Sequence, residues 1–536
     1  MTSSVDVIAA RLYAAGCRHA FGIPGGEVLA MMEALERAGI SFFLTRHENS
    51  AGFMAEGAHH ANGAPGILLA TLGPGVANAL NVVANAQQDR VPLIVLTGCI
   101  DPAEQFGFTH QVFDHGEVFK PVTKASFTAA VGACDIMIDK AVRIASEGRP
   151  GPLHIDIPIS LATMEHAPSR GVIQAPLCPA APAPGTALDE ARTMLGAASR
   201  PVIMAGLDVI YEDGAAEALR GFARDMGIPV LTTYKAKGVM PEGDALALGG
   251  HGLSPLSDKY VLAFLAKADL VISLGYDPIE MRAGWIEPWD KSRAIEFAAV
   301  RNEHYVHQAD ISFTCSISGA LTALAAGGIR PAAIWPGGEM KQLKGDLEKA
   351  FAADESRWPN AAIAAIARAA PQDVIASADT GAHRILLSQI WQCETPRSLL
   401  QSTGLCTMGC ALPLAMGYKL AEPERPVIAF SGDAGLEMVL GELATLRDLK
   451  LQVVIIVFVD ASLALIELKQ RATGRANLGV DFGRTDFAGI ARVMGGEGRV
   501  AGDVETLERE VSEAFAREGF TLIEVPVGRR AYDGRF

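Results

Sequence analysis

The sequence predicts an α/β protein made of three doubly wound parallel-sheet domains. Three observations carry this expectation: the length, a repeated alternation of apolar strand-like runs with helical segments, and two Pro/Gly/Ala-rich tracts that divide the chain. There are 536 residues, 49% hydrophobic and 20% charged. At about 150 residues per domain, this suits three or four domains, each able to bury a core. Alternating α and β segments argue for parallel sheets covered by helices on both faces.

The first block, residues 1–174, has strand candidates at Ser41–Thr45, Gly66–Thr71, Pro92–Thr97 and Pro152–Ile157. The tract Ala175–Gly185 (APLCPAAPAPG) reads as a linker. The second block, 186–328, has strand candidates at Pro201–Ala205, Pro229–Thr232 and Leu270–Leu274, and Gly327–Gly338 (GGIRPAAIWPGG) closes it. The third block, 345–536, carries Val374–Ala378, Val427–Ser431, Val453–Val459 and Thr521–Val525. No short tandem repeat is present.

The net charge of −15 disfavours nucleic acid and anionic membranes as partners. No apolar run reaches the roughly 18 residues a spanning helix needs, and the start, MTSSVDVIAARLYAAG, does not read as a secretory signal. The eight cysteines show no metal-type spacing and suit reduced thiols in a cytoplasmic protein.

The most informative segment lies in the third block. The strand candidate Val427–Ser431 runs into Gly432-Asp433-Ala434-Gly435, a helix is expected over Leu436–Arg447, and the next strand ends at Asp460-Ala461-Ser462. Asp433 and Asp460, 27 residues apart, thus stand at the carboxyl ends of two strands, the edge at which open parallel sheets bind ligands. Small residues beside Asp433 let backbone N–H groups approach phosphate oxygens, and a helix start favours anions. Two oxygen ligands with a diphosphate suit Mg²⁺. Taken alone, Gly-Asp after a strand also serves as a turn and helix cap.

The run SGDAGLEMVLGELATLRDLKLQVVIIVFVDASLALIELKQ resembles the thiamine-diphosphate (ThDP) motif of the acetolactate synthase and 2-oxo acid decarboxylase family. That motif begins Gly-Asp-Gly and closes with Asn-Asn. The resemblance implies metal ligands at Asp433, at Asp460 and at the carbonyl of Ser462. It implies cofactor contacts from Gly432, Ala434, Gly435, Leu463, Ala464 and Leu465. Ala434 replaces the second glycine, and Asp460-Ala461 replaces Asn-Asn; an aspartate remains a competent Mg²⁺ ligand. Gly404–Pro413 is similar to the family's Gly-x-Gly-Thr-Met-Gly-x-x-Leu-Pro, which implies Thr407 at the cofactor and Met408 as the wedge that keeps ThDP bent. Thr380-Gly381-Ala382-His383 falls where the family has a diphosphate loop, implying contacts from Gly381, Ala382 and His383.

In the first block, Arg46-His47-Glu48-Asn49-Ser50 follows a strand candidate and opens a helix of small residues. An isolated Glu there also serves the helix dipole. The family's segment implies that Glu48 is the carboxylate that activates the pyrimidine ring, which requires a dry site. Gly22–Gly26 resembles the Gly-x-Pro-Gly-Gly loop, placing Gly25 and Gly26 at the cofactor. Thr71–Asn78 resembles the Gly-Pro-Gly-x-x-Asn turn, placing Pro74 and Asn78 there. His110-Gln111 aligns with Phe-Gln, which implies Gln111 in the reaction chamber. His110, and next His115, are candidates for proton handling.

The expected activity is decarboxylation of a 2-oxo acid followed by protonation or carboligation. A 2-hydroxyacyl thioester lyase and an inactive ThDP-binding regulatory subunit are the alternatives; Glu48, Asp433 and Asp460 together argue against the second. Asp277 stands where acetolactate synthases carry the arginine that grips a second 2-oxo acid, so condensing two pyruvates requires Arg282 or Lys469 in that role. The flavin segment departs from the family at Ile295–His304 (IEFAAVRNEH), and bound FAD is not expected. Glu48 and the aspartate pair lie on different domains, so the resemblance implies a homodimer or homotetramer with shared active sites.

Overall fold

The computed structural model describes residues 2–167, 179–280 and 283–536 of the chain. Residues 175–178 of the expected linker, including Cys178, and Arg282 lie outside the described residues.

Among the described residues, eighteen strands form three six-stranded sheets, every ladder parallel. The first sheet contains β1 (His19–Ile23), β2 (Ser41–Leu44), β3 (Gly66–Ala70), β4 (Leu93–Cys99), β5 (Ala125–Thr128) and β6 (Pro152–Pro158), in the order β2-β1-β3-β4-β6-β5. The second contains β7 (Pro201–Ala205), β8 (Val230–Thr233), β9 (Ala247–His251), β10 (Leu270–Leu274), β11 (Ala294–Ala298) and β12 (Ile311–Thr314), in the order β12-β11-β10-β7-β8-β9. The third contains β13 (Ile375–Ala378), β14 (Leu399–Gln401), β15 (Val427–Gly432), β16 (Val454–Val459), β17 (Glu497–Val500) and β18 (Thr521–Pro526), in the order β14-β13-β15-β16-β18-β17. Counted from its own first strand, the third sheet repeats the topology of the first. The middle sheet is wound differently, as 3-2-1-4-5-6.

The central strands β3, β7, β10 and β16 are buried along their whole length, as expected for parallel strands covered on both faces. The strands without a sequence-level expectation lie mainly outside these central positions. Strand β17 (EGRV) is polar and mostly exposed, β5 is half-buried, and β14 has three residues.

The expected single helix over Leu436–Arg447 is instead two helices, Asp433–Glu437 and Glu442–Leu449. The break at residues 438–441 lets the first helix start directly on the strand end. It also turns the Glu442 carboxylate inward to the Arg46 amide (3.1 Å) and the Thr445 hydroxyl (2.7 Å). Helix Glu339–Ala350 crosses residue 345, the expected start of the third block, because Leu343 packs in the middle-domain cluster with Trp335 and Phe264.

The first and third α/β units meet along two helices, Glu48–Asn62 and Ala411–Ala421. At this seam a Cβ on Gly57 would collide with the Leu414 carbonyl, and one on Gly417 with the Met54 carbonyl. The two glycines bring the helix backbones into direct contact. One core cluster runs through both units, from Phe53 and Met54 to Leu412, Leu414 and Ile455.

Candidate active site

Three strands of the third sheet end in an aspartate: β13 before Asp379, β15 before Asp433 and β16 before Asp460. Asp379 is fully buried. Its carboxylate accepts the Gly409 amide (2.8 and 2.9 Å) and the Ser431 hydroxyl (2.9 Å), tying the loop that carries Met408 to the sheet edge. Asp433 accepts the amides of Ala434 (2.9 Å), Asp460 (3.1 Å) and Ala461 (2.7 Å). Burial pushes the Asp433 carboxyl up. Burial, and then the neighbouring Asp433 charge, push Asp460 up to about 7.

A cavity of about 130 Å³ opens at this edge. Gly381, Ala382, His383, Met408, Gly432, Asp433, Ala434 and Gly435 line one part of it. Asp460, Ser462, Leu463, Ala464 and Leu465 line another. Two buried polar atoms facing it, Thr380 Oγ1 and His383 Nε2, have no hydrogen-bond partner among the described residues. Burial holds the His383 imidazole down at about 3, so it is neutral. The Ser462 carbonyl accepts the Ala464 amide (2.9 Å), and its hydroxyl donates to Asp481 (3.2 Å).

Sequence reasoning missed Thr380 as a contact, and also Asp379, Phe458, Ile466 and Tyr532. Tyr532 belongs to the C-terminal segment, where it is buried against the cavity. Burial, reinforced by the Asp460 and Asp433 charges, pushes its phenol well above the ordinary range. The available signal for Asp379 was its place after an apolar strand, the same context as Asp433.

Glu48, Gly25, Gly26, Pro74, Asn78, His110 and Gln111 are not part of this cavity. Apart from His110, they gather at the carboxyl edge of the first sheet. Glu48 opens its helix, is 4% exposed, and accepts a hydrogen bond from Asn78 Nδ2 (3.0 Å). Glu27 ties the Gly25-Gly26 loop to β3 by accepting the Thr71 hydroxyl and the Leu72 amide. Gln111 is exposed in the left-handed region (φ 59°), with its backbone against Gly73. His110 is exposed in an irregular segment. Thr407 is not among the residues lining the cavity, and its hydroxyl donates to Asn81 (3.2 Å).

His115 is set differently from His110. It is buried, its Nδ1 lies 2.8 Å from Asp156 Oδ1, and its Nε2 accepts the Gly73 amide at 3.4 Å. Asp156 also accepts the Thr97 hydroxyl (2.6 Å), and His154 contacts Thr97 (2.7 Å) and Ser126 (2.7 Å). Burial raises the Asp156 carboxyl, but its bonds to His115 and His154 outweigh that and hold it well below the usual range.

Asp277 is buried and clamped by Arg90 (2.7 and 3.3 Å) and Arg149 (3.4 Å), so it is an anion inside an ion-pair cluster. Lys469 is exposed on helix Ala464–Ala472.

Comparison with known proteins finds three family matches. Residues 2–118 match the N-terminal TPP binding domain of thiamine pyrophosphate enzymes, 188–324 the central domain, and 379–525 the C-terminal TPP binding domain. The chain is 31% identical over 534 residues to the acetolactate synthase isozyme 1 large subunit of Escherichia coli (strain K12), covering 96% of this chain and 92% of that one. It is 27% identical to the acetolactate synthase of Bacillus subtilis (strain 168), covering 96% and 91%. It is 29% identical to a probable 2-ketoarginine decarboxylase of Pseudomonas aeruginosa, covering 94% and 90%.

Proposed function

Because the chain belongs to the thiamine pyrophosphate enzyme family, in its acetolactate synthase-like group, we propose that it uses ThDP and Mg²⁺ to decarboxylate a 2-oxo acid and to protonate or ligate the product. The observation that carries this is the aspartate pair. Two adjacent carboxyls, Asp433 buried and Asp460 half-buried, both pushed up, face a cavity with two unpartnered polar atoms. A divalent cation with a diphosphate supplies what that site lacks: positive charge for the carboxylates and an acceptor oxygen for the Thr380 hydroxyl. The residues fit the group. Asp433, Asp460 and the Ser462 carbonyl would hold the metal, and Gly381, Ala382, His383, Gly432, Ala434, Gly435 and Leu463–Leu465 the diphosphate side. Met408 would support the ring system.

Bound ThDP supplies a nucleophilic carbon and an electron sink beside the substrate carbonyl carbon. Glu48 holds a carboxyl group at a sparsely hydrated edge, oriented by Asn78, where it can share a proton with a ring nitrogen. His115 fixes the Gly73–Gly75 turn that backs Glu48. Gln111 stands at the same turn and is available to substrate.

The cavity lining contains no residue before Thr380, whereas Glu48 opens a helix at the carboxyl edge of the first sheet. This division favours an assembly in which one chain's Glu48 edge closes over another chain's cavity, at least a homodimer. Cleavage of a 2-hydroxyacyl thioester is less favoured. The basic tail that could meet a nucleotide is engaged internally: Arg529 with Asp481 (2.8 Å), Arg530 with Glu467 (3.2 Å), Arg535 with the Ser356 carbonyl (3.2 Å).

The test is turnover of a panel of 2-oxo acids and 2-hydroxyacyl thioesters by metal-stripped protein given ThDP with and without Mg²⁺. The expected result is CO₂ release from a 2-oxo acid that needs both additions. Turnover confined to the thioesters, or turnover indifferent to ThDP, overturns the proposal.

A further inference from the structure

The middle sheet has the strand order in which open α/β folds take a dinucleotide, at the crevice where the winding reverses. Here that crevice lies between the adjacent strands β7 and β10. Its floor is formed by Gly206-Leu207-Asp208 after β7 and Gly275-Tyr276-Asp277 after β10.

The crevice is filled by a side chain of the same chain. Glu280 is fully buried, and its Oε2 accepts the amides of Leu207 (3.0 Å) and Asp277 (2.9 Å). Its Oε1 accepts the Thr233 hydroxyl at the end of β8. These are donors that a phosphate oxygen at a switch point would need. A Cβ on Gly206 would lie 2.5 Å from the Gly275 carbonyl and 2.6 Å from Glu280 Oε2, so only glycine fits beside this carboxyl group.

Two further features point the same way. In a Gly-x-Gly-x-x-Gly turn, the second glycine lets the pyrophosphate approach the backbone. Asp208 occupies that place, and its carboxylate is spent on the Ala299 amide (2.8 Å) after β11. The helix after β7 has four residues, Asp208–Tyr211, and offers little dipole to an anion. Beyond it, Asp277 places a buried anion on the β10 side, held by Arg90 and Arg149.

We infer that the Glu280 carboxyl group is a built-in plug that closes the middle-domain crevice, so that this chain binds neither flavin nor any other dinucleotide there. Flavin does not fit these residues: its diphosphate would have to displace a carboxylate bonded to three strand ends and lie beside Asp208 and Asp277. The middle domain then serves as a scaffold, latched to the first domain through Asp277 and Arg90. This inference is independent of the ThDP reading, since it concerns a different sheet edge.

The experiment uses the full chain loaded with ThDP and Mg²⁺. FAD, NAD⁺ and ADP are each titrated calorimetrically, and flavin co-elution is read by absorbance after gel filtration. The expected result for the wild-type protein is no saturable heat and no co-eluting flavin. In Glu280→Ala the emptied crevice should bind inorganic phosphate about tenfold more tightly than the wild type does, the scale of one charge-assisted hydrogen-bonded contact. Stoichiometric flavin or nucleotide on the wild-type protein overturns the inference even if Glu280→Ala fails to fold. So does a folded Glu280→Ala protein with no gain in phosphate binding.

Discussion

The Asp433 carboxylate accepts the backbone amide of Asp460 at 3.1 Å, so the end of β15 holds the end of β16 in place before any ligand arrives. Two roles therefore meet in Asp433, loop anchor and candidate metal ligand, whereas the Asp460 side chain is bonded only to the Ser462 amide (3.0 Å) among the contacts described. Asp433→Ala should abolish Mg²⁺-dependent ThDP binding, and Asp460→Asn should preserve it, since an amide oxygen can replace one carboxylate oxygen. Calorimetric titration of ThDP with and without Mg²⁺ separates the two. Unchanged affinity in Asp433→Ala removes the metal-site reading.

Glu48→Gln should keep ThDP affinity and lose nearly all turnover, because an amide cannot act as the anionic partner of the ring. Mixing Glu48→Gln with Asp433→Ala under subunit exchange should restore activity. Random exchange makes about half the dimers mixed, and one of the two sites in each mixed dimer is intact, so recovery approaches about a quarter of wild type. Absence of recovery, with exchange demonstrated, means that each chain builds its own site.

Glu280 also gives a pH-dependent stability. Burial pushes its carboxyl up to about 8, against about 4.3 in an unfolded chain. The folded state therefore binds the proton more tightly. The resulting stabilisation is complete below about pH 4 and is lost as pH rises through about 8. Glu280→Gln keeps an acceptor for the two amides and has no proton to lose. Relative to that variant, the wild type should lose on the order of 1 kcal/mol per pH unit between about pH 5 and 8, then level off. Urea denaturation across that range checks it, and a wild type that gains on the variant with rising pH contradicts it.

His115→Ala should destabilise the fold by about 1–3 kcal/mol, because it removes one partner of the buried Asp156 carboxylate. Adding Asp156→Asn should recover part of that loss, since the uncompensated charge is then gone. Equilibrium unfolding of the two single variants and the double variant measures the coupling. Additive losses would show that His115 and Asp156 do not act as a pair.

The parts of this molecule legible in its sequence are those set by short stretches of chain. Asp433 and Asp460 could be placed because a strand, a connection and a second strand fix their separation, and central strands are continuous apolar runs. Tyr532 could not, because it reaches the cavity only when the C-terminal segment folds back over the third sheet. Glu280 was equally hidden: nothing local to a loop Glu says that its carboxylate will meet the ends of β7 and β8. The helix expected over Leu436–Arg447 failed for a related reason, since the inward turn of Glu442 answers to Arg46, far away in sequence. Polar β17 is held by its ladder to β18 rather than by its own pattern.

The glycine seam has a consequence for how this sequence can drift. Gly57 and Gly417 lie well outside the cavity and the Glu48 edge, in the middle of two ordinary helices. Yet even a methyl group at either position must push the helices apart. One of those helices begins at Glu48, and the other follows directly on the Met408 loop. Drift at the seam would thus register first as misalignment of the chemistry, with the hydrophobic cores of both units still intact. Two residues that touch no ligand are therefore among the least replaceable in the chain.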